Sequence, residues 1–400
     1  MLSLASNLAV GLLHPSAGFW DEPVYNHAAQ LLLQGKDCPT ISLTVGSYTA
    51  PLATACNYEH PPLVKALVAA TLYLLGPLSG AGFAGTVASF LSLRVVQLTT
   101  GALSLPLMYS VAYDISRDRR LALIAAVLLF LDPLYAFFSR VDYLDVPAVF
   151  FALCAYAVYF GGRRLGQVNE YAASGLFLAL SLLCKETAVV FVLPLVVYHF
   201  LFRQASWGRK SAEALTILGV EALVSASGLQ LYDSLARTPF PTFVSQLQYM
   251  VGYSTFLACP NLCNSPGSGP WYFFLTPGYW TVLLSYNLVL LWLVLLWVPV
   301  GVLLTWRALR KNRTGSEDRL FVFSSLLFAS TFLENEFIYY GGRIVWMWYY
   351  LMVVPSLALG GAYLLTRPGI PRWLRAALGL SLVGGYLLAY YIGPGLLMYD

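Results

Sequence analysis

Charge is scarce in this chain. Asp, Glu, Lys and Arg make up 10% of its 400 residues, against about 25% in an ordinary soluble domain, and the mean hydropathy is +0.68. Such poverty excludes a string of soluble domains. Only residues 15–85 and 232–280 leave room for one between the hydrophobic runs. Histidine is rarer still, with four residues. No Asp-x-Asp metal motif is present, and Glu334-Asn335-Glu336 is the nearest approach to one. No metal and no cofactor are therefore expected. Internal repeats and low-complexity tracts are also missing. The net charge of +4 is dispersed over short loops, which excludes a nucleic-acid partner.

What is present is a succession of apolar runs. A helix needs about 20 apolar residues to cross a hydrocarbon core about 30 Å thick. Spans fall near 2–14, 86–114, 121–138, 146–160, 171–184, 187–202, 211–231, 281–306, 320–334, 346–366 and 376–394. The expected fold is all-α, a polytopic membrane protein with about eleven transmembrane helices. Alternate loops carry basic clusters: Arg117, Arg119 and Arg120; Arg163 and Arg164; Arg203, Arg209 and Lys210; Arg307 to Arg319; Arg367, Arg372 and Arg375. The positive-inside rule places those loops, and the N-terminus, in the cytoplasm. The C-terminus and the remaining loops then face outward, from a plasma membrane or its equivalent. The first run has no charged n-region and reads as a retained anchor rather than a signal peptide. Three stretches follow: a transmembrane module at 1–231 containing the first outer loop 15–85, an outer loop at 232–280, and C-terminal helices at 281–400.

Within the first outer loop, 22–35 and 61–76 have helical character but are too short or interrupted to span, and suit helices in the interface plane. Four of the six cysteines, Cys38, Cys56, Cys259 and Cys263, fall in outer loops, where oxidising conditions favour disulfides. Pairs within each loop, Cys38–Cys56 and Cys259–Cys263, are expected. Cys154 and Cys184 lie inside spans as packing residues.

Charge that is not cytoplasmic concentrates at outer helix ends. Asp21 and Glu22 follow the first run, in FWDEPVY. Asp21 suits two roles equally: a helix N-cap, or a carboxylate partly desolvated toward general-base duty. Glu59, His60 and Lys65 form a second group, in which His60 bonds a phosphate or holds a carboxylate. Arg140, Asp142 and Asp145 share one outer turn, and Lys185 and Glu186 the next. Arg94 lies within a span, where a guanidinium is costly unless it meets an anion such as a lipid phosphate. Trp271 and Tyr272 either stack on a sugar or belong to the interfacial aromatic belt.

Read in order, FWDEPVY, YEHPPLVK, SRVDYLD and CKETA resemble the protein O-mannosyltransferases of the GT-C superfamily. That family shows an Asp-Glu pair in the first outer loop, then HPPLxK, an Arg ahead of an Asp, and a Lys-x-[ST] turn. The agreement covers roughly residues 15–200, and GPWYFFLTPGYW and RIVWMWYYLMVVP resemble later aromatic segments. YEHPP also resembles the aminoarabinose transferases, which carry Glu-Lys-Pro-Pro there. The β-trefoil insert of eukaryotic mannosyltransferases has no room in 232–280, so the acceptor stays open among protein, lipid and glycan.

The resemblance implies an inverting glycosyltransferase that moves a hexose, mannose by likeness, from a polyprenyl-phosphate carrier to a hydroxyl on the outer side. Asp21 becomes the expected base. Glu22, Glu59, His60, Lys65, Arg94, Arg140, Asp145, Lys185, Trp271 and Tyr272 are expected around the substrates. The alternative is a transporter or flippase for a lipid-linked or anionic headgroup. Such proteins often carry inverted repeats and midplane breaks, whereas here charge gathers at one face and no half repeats the other.

Overall fold

A computed structural model describes residues 22–256, apart from short breaks at 36–39, 46–47, 55, 79–82, 163–166 and 237, and residues 301–384 with several further short breaks. The expected spans at 2–14 and 281–306 lie almost wholly outside these residues, as does most of 376–394. So do Asp21, Trp271, Tyr272, Cys38, Cys259 and Cys263.

Glu22–Gln34 forms α1 and Leu63–Leu75 forms α2, the two short helices anticipated in the first outer loop. Between them an antiparallel hairpin, β1 (Thr40–Val45) and β2 (Tyr48–Thr54), pairs Thr40 with Thr54 and Val45 with Tyr48, with an irregularity between Ile41 and Leu43. The all-α expectation did not foresee this hairpin, although Thr, Ile and Val suit a pleated ladder. Both short helices pack into the protein: Tyr25, Ala29, Val64 and Val68 join the main core.

The bundle follows. Helix α3 (Phe83–Ser116) is succeeded by α4 (Arg119–Leu131), α5 (Pro133–Phe138), α6 (Asp145–Gly161) and α7 (Gln167–Cys184). A 3₁₀ turn over Glu186–Phe191 leads into α8 (Val192–Phe202), and then come α9 (Trp207–Ala236) and α10 (Phe243–Phe256). The last described helices are α11 (Ser316–Tyr340) and, after a 3₁₀ turn at Met347–Met352, α12 (Val354–Thr366). Among the described residues, three helical stretches are long and apolar enough to cross a membrane, Leu91–Ser116, Trp207–Ala236 and Ser316–Tyr340, and five shorter apolar helices accompany them. The expected 121–138 span is divided. Asp132 ends α4 and caps α5 by accepting the Tyr135 N–H at 2.8 Å, with Pro133 in the first turn, where a missing N–H costs nothing.

Two glycines permit close approaches between the helices. A Cβ on Gly101 of α3 would lie 2.6 Å from the Ser139 hydroxyl, and one on Gly175 of α7 would lie 2.5 Å from the Ile217 carbonyl of α9. Small residues at such crossings let backbones meet closely in membranes.

Polar contacts divide the bundle into two ends. At one end, Tyr159 and Glu213 flank His199, Arg203 and Arg209 both bond Glu213, Arg319 covers the Phe202 ring, and Arg367 joins Asp318. These side chains tie together the ends of α6, α8 and α12 and the starts of α9 and α11. At the opposite end lie Glu22, His60, Asp142, Asp145 and Glu186.

Candidate functional site

The site is assembled on a turn, three helix starts and one long helix. Residues 56–60 make the turn. Cys56 is disulfide-bonded, through a partner outside the described residues, and Asn57 adopts a left-handed φ of 51°, a region that Asn tolerates better than most residues. Lys65, one turn into α2, reaches back and donates to the Asn57 carbonyl, and to the His60 carbonyl at 2.8 Å. The Lys65 ammonium, expected around the substrates, is instead a buried pin across this turn. Burial pulls its pKa down to about 7, opposed by the nearby carboxylates of Glu59 and Glu186. Glu59 is buried beside it.

The turn delivers His60 to Glu186. The imidazole Nδ1 lies 3.0 and 2.9 Å from the two Glu186 oxygens, and the Tyr25 ring stands edge-on to it at 6.1 Å. The side chains are 15% and 30% exposed. Of the two sequence options for His60, the structure shows the carboxylate contact.

Next to it, Lys185 donates to Asp145 at 2.6 Å, both side chains almost fully buried, and its ammonium sits 4.5 Å from the Tyr349 ring centroid. Asp145 opens α6, and Lys185 stands between α7 and the 3₁₀ turn. The pair therefore ties two helical hairpins together. Glu334 of α11 comes within electrostatic range of Lys185, Glu186 and Asp145.

Glu22, the first residue of α1, accepts from Arg94 Nε at 2.6 Å and Nη2 at 2.9 Å. It also accepts the Asp142 backbone N–H at 3.0 Å. Arg94, expected to meet a lipid phosphate, meets Glu22 instead in this structure. Gln97, one helical turn along α3, donates to Asp142 Oδ1. The Asp142 carboxyl is pushed well above the usual carboxylate range, first by burial and then by the Glu22 charge. Arg140 is buried, donating to the Ala136 carbonyl at 3.1 Å with its guanidinium 5.6 Å from the Phe137 ring centroid.

The structure thus gathers Glu22, Glu59, His60, Lys65, Arg94, Asp145 and Lys185 at one end of the bundle and adds four residues. Gln97 and Asp142 support Glu22, Tyr349 backs Lys185, and Glu186 holds His60. Gln97 carried one signal in the sequence, its three-residue spacing from Arg94. Tyr349 carried none, because its proximity depends on a tertiary contact more than 160 residues along the chain.

The sequence pattern of the family described as dolichyl-phosphate-mannose-protein mannosyltransferase matches residues 55–226. The fold is similar to that of ArnT from Cupriavidus metallidurans bound to undecaprenyl phosphate, with a TM-score of 0.59 at 17% identity over 96% of this chain and 62% of that one. It is also similar to the oligosaccharyltransferase of Archaeoglobus fulgidus, with a TM-score of 0.54 at 12% identity over 100% of this chain and 54% of that one. The same archaeal enzyme has been solved with an inhibitory peptide and a dolichol-phosphate. The chain spans less than two thirds of the length of either protein. A search of curated protein sequences finds no match. The family pattern covers less than half of the chain, and the structural likeness shows a shared fold.

Proposed function

We propose that this protein is an inverting glycosyltransferase acting on a polyprenyl-phosphate-linked sugar at the outer face of a membrane. One observation carries the reading. The segment that matches the mannosyltransferase pattern, residues 55–226, contributes the His60–Glu186 and Lys185–Asp145 pairs that meet at one end of the bundle. The sugar is a hexose, with mannose favoured by the family likeness, and the acceptor is a hydroxyl of a protein, lipid or glycan.

In the reaction, Asp21 takes the proton of the acceptor hydroxyl as its oxygen bonds the anomeric carbon, and polyprenyl phosphate leaves from the opposite side. Support for Asp21 comes from its place in FWDEPVY, directly before Glu22. Glu22 is locked by Arg94 and the Asp142 N–H, so the start of α1 is held in place. General-base assistance typically contributes 10²–10⁴-fold. Purified protein should transfer label from polyprenyl-phosphate-mannose to a membrane-extract acceptor, and Asp21→Asn should reduce transfer by about a hundredfold or more. Equal transfer by a folded Asp21→Asn variant would return Asp21 to a helix cap. The labelled product identifies the acceptor. Chelation with EDTA is expected to leave the rate unchanged.

A further inference from the structure

We propose that His60, backed by Glu186, donates a proton to the phosphate of the departing lipid carrier. The inference rests on the glycosyl-transfer reading above and assigns a second proton-handling group to the same site.

A leaving phosphate gains one negative charge as its bond to the sugar breaks, and a donor must meet it. Three basic side chains at the site are already engaged. Glu22 closes both arms of Arg94, Asp145 and the Tyr349 ring enclose Lys185, and the Asn57 and His60 carbonyls take the Lys65 ammonium. His60 differs from these three. Its Nδ1 is held by both Glu186 oxygens, while no hydrogen bond engages its Nε2 among the described residues. A carboxylate on one ring nitrogen fixes the tautomer and the ring plane, which makes the other nitrogen the one that meets a ligand. The ring and its carboxylate are the partly exposed pair of this cluster, whereas Asp145 and Lys185 are 1% and 2% exposed.

As the acceptor oxygen bonds the anomeric carbon, the carbon–oxygen bond to phosphate breaks and its electron pair stays on the phosphate oxygen. The hydroxyl proton goes to the base, Asp21 in the reading above. The Nε2 proton of His60 goes to the phosphate, leaving a neutral imidazole whose Nδ1–H still faces Glu186. Water then reprotonates His60 and takes the proton from Asp21, so the cycle closes with no net proton change at the site.

The charged and titratable groups facing His60 are Glu59 and Lys65 on its own turn and α2, and Tyr25 on α1. Beyond these stand Asp145 on α6, Lys185 and Glu186 beside the 3₁₀ turn, and Glu334 on α11, which acts through Glu186.

The test compares wild type, His60→Gln and Glu186→Gln in transfer from polyprenyl-phosphate-mannose, with kcat and donor KM measured across pH and thermal unfolding recorded for each. Wild-type kcat is expected to fall on the alkaline side. In His60→Gln, kcat should drop about a hundredfold and lose that alkaline limb, with donor KM within a few fold of wild type. Glu186→Gln should lower kcat with donor KM within a few fold of wild type, because the amide offers one oxygen to the ring where the carboxylate offers two. A folded His60→Gln with wild-type kcat overturns the proposal, as does a rise in donor KM at constant kcat, which marks a simple anion anchor. If His60→Gln unfolds, wild-type kcat in folded Glu186→Gln overturns it. Absence of transfer by the wild type overturns the glycosyl-transfer reading itself, a separate outcome from transfer that is indifferent to His60.

Discussion

Glu22 and Asp142 are two buried carboxyl groups beside one guanidinium, and they do not share it equally. Glu22 takes both arms of Arg94 and the Asp142 backbone N–H, while one oxygen of Asp142 is buried without a hydrogen-bond partner among the described residues. An ionised oxygen in that position would be very costly. The raised pKa of Asp142 is the expected response, and it favours the neutral acid. An amide in its place would have nearly the same shape and the same lack of charge. Asp142→Asn should therefore shift thermal unfolding little, whereas Glu22→Gln strands Arg94 and should cost about 3–5 kcal/mol, the range for breaking a buried pair. Thermal unfolding in detergent ranks the two variants, and the reverse order would show that Asp142 carries the charge. The sequence marked the ionisable residues here well, because charge is rare enough in this chain for each outer group to stand out. It did not show which are spent on one another. The Arg94–Glu22 pair joins residues 72 apart, and nothing local in either segment announces its partner.

Among the elements, the helices were the most legible and their ends the least. The apolar runs predicted the described bundle helices but not α10 (Phe243–Phe256), which lies in the stretch read as an outer loop. They did not reveal that the run at 121–138 breaks at Asp132, where a capping carboxylate and a proline restart the chain, or that 187–202 begins as a 3₁₀ turn. The hairpin at 40–54 was missed because its alternation is interrupted by an irregularity and by Pro51. Helix contact also left a testable trace in small residues. Gly175 of α7 faces the α9 backbone at Ile217 with no space for a side chain, while Gly219 on α9 faces open space. Gly175→Leu is expected to force the helices apart and cost about 1–3 kcal/mol or more. Gly219→Leu should be close to neutral. Parallel thermal unfolding of the two variants measures the difference, and equal effects would mean that α7 and α9 are not in backbone contact.

For the molecule as a whole, the division of its polar groups between two ends sets the topology. Trp207, Arg209 and Glu213 mark one end, and His60, Asp145 and Glu186 the other, with the small cluster of Leu31, Cys56 and Tyr58 beside α10 on the second. Gly208 on α9 and Gly252 on α10 both have room for a side chain. Gly208→Cys should react with an impermeant thiol reagent only from the cytoplasmic side, and Gly252→Cys only from the outer side. Labelling of both from one side would overturn the arrangement of helices between them.

That one-sidedness has a consequence for the membrane around the protein. On the reading proposed above, a transferase whose described reactive groups gather at one end takes its loaded carrier from one leaflet and leaves the spent carrier in that same leaflet. Each turnover would thus convert a sugar-tipped lipid store into a growing pool of bare phosphate on the outer side. Sustained activity would then depend on separate machinery that clears the used carrier and returns it for recharging, and the rate of that return would limit how long this protein can work.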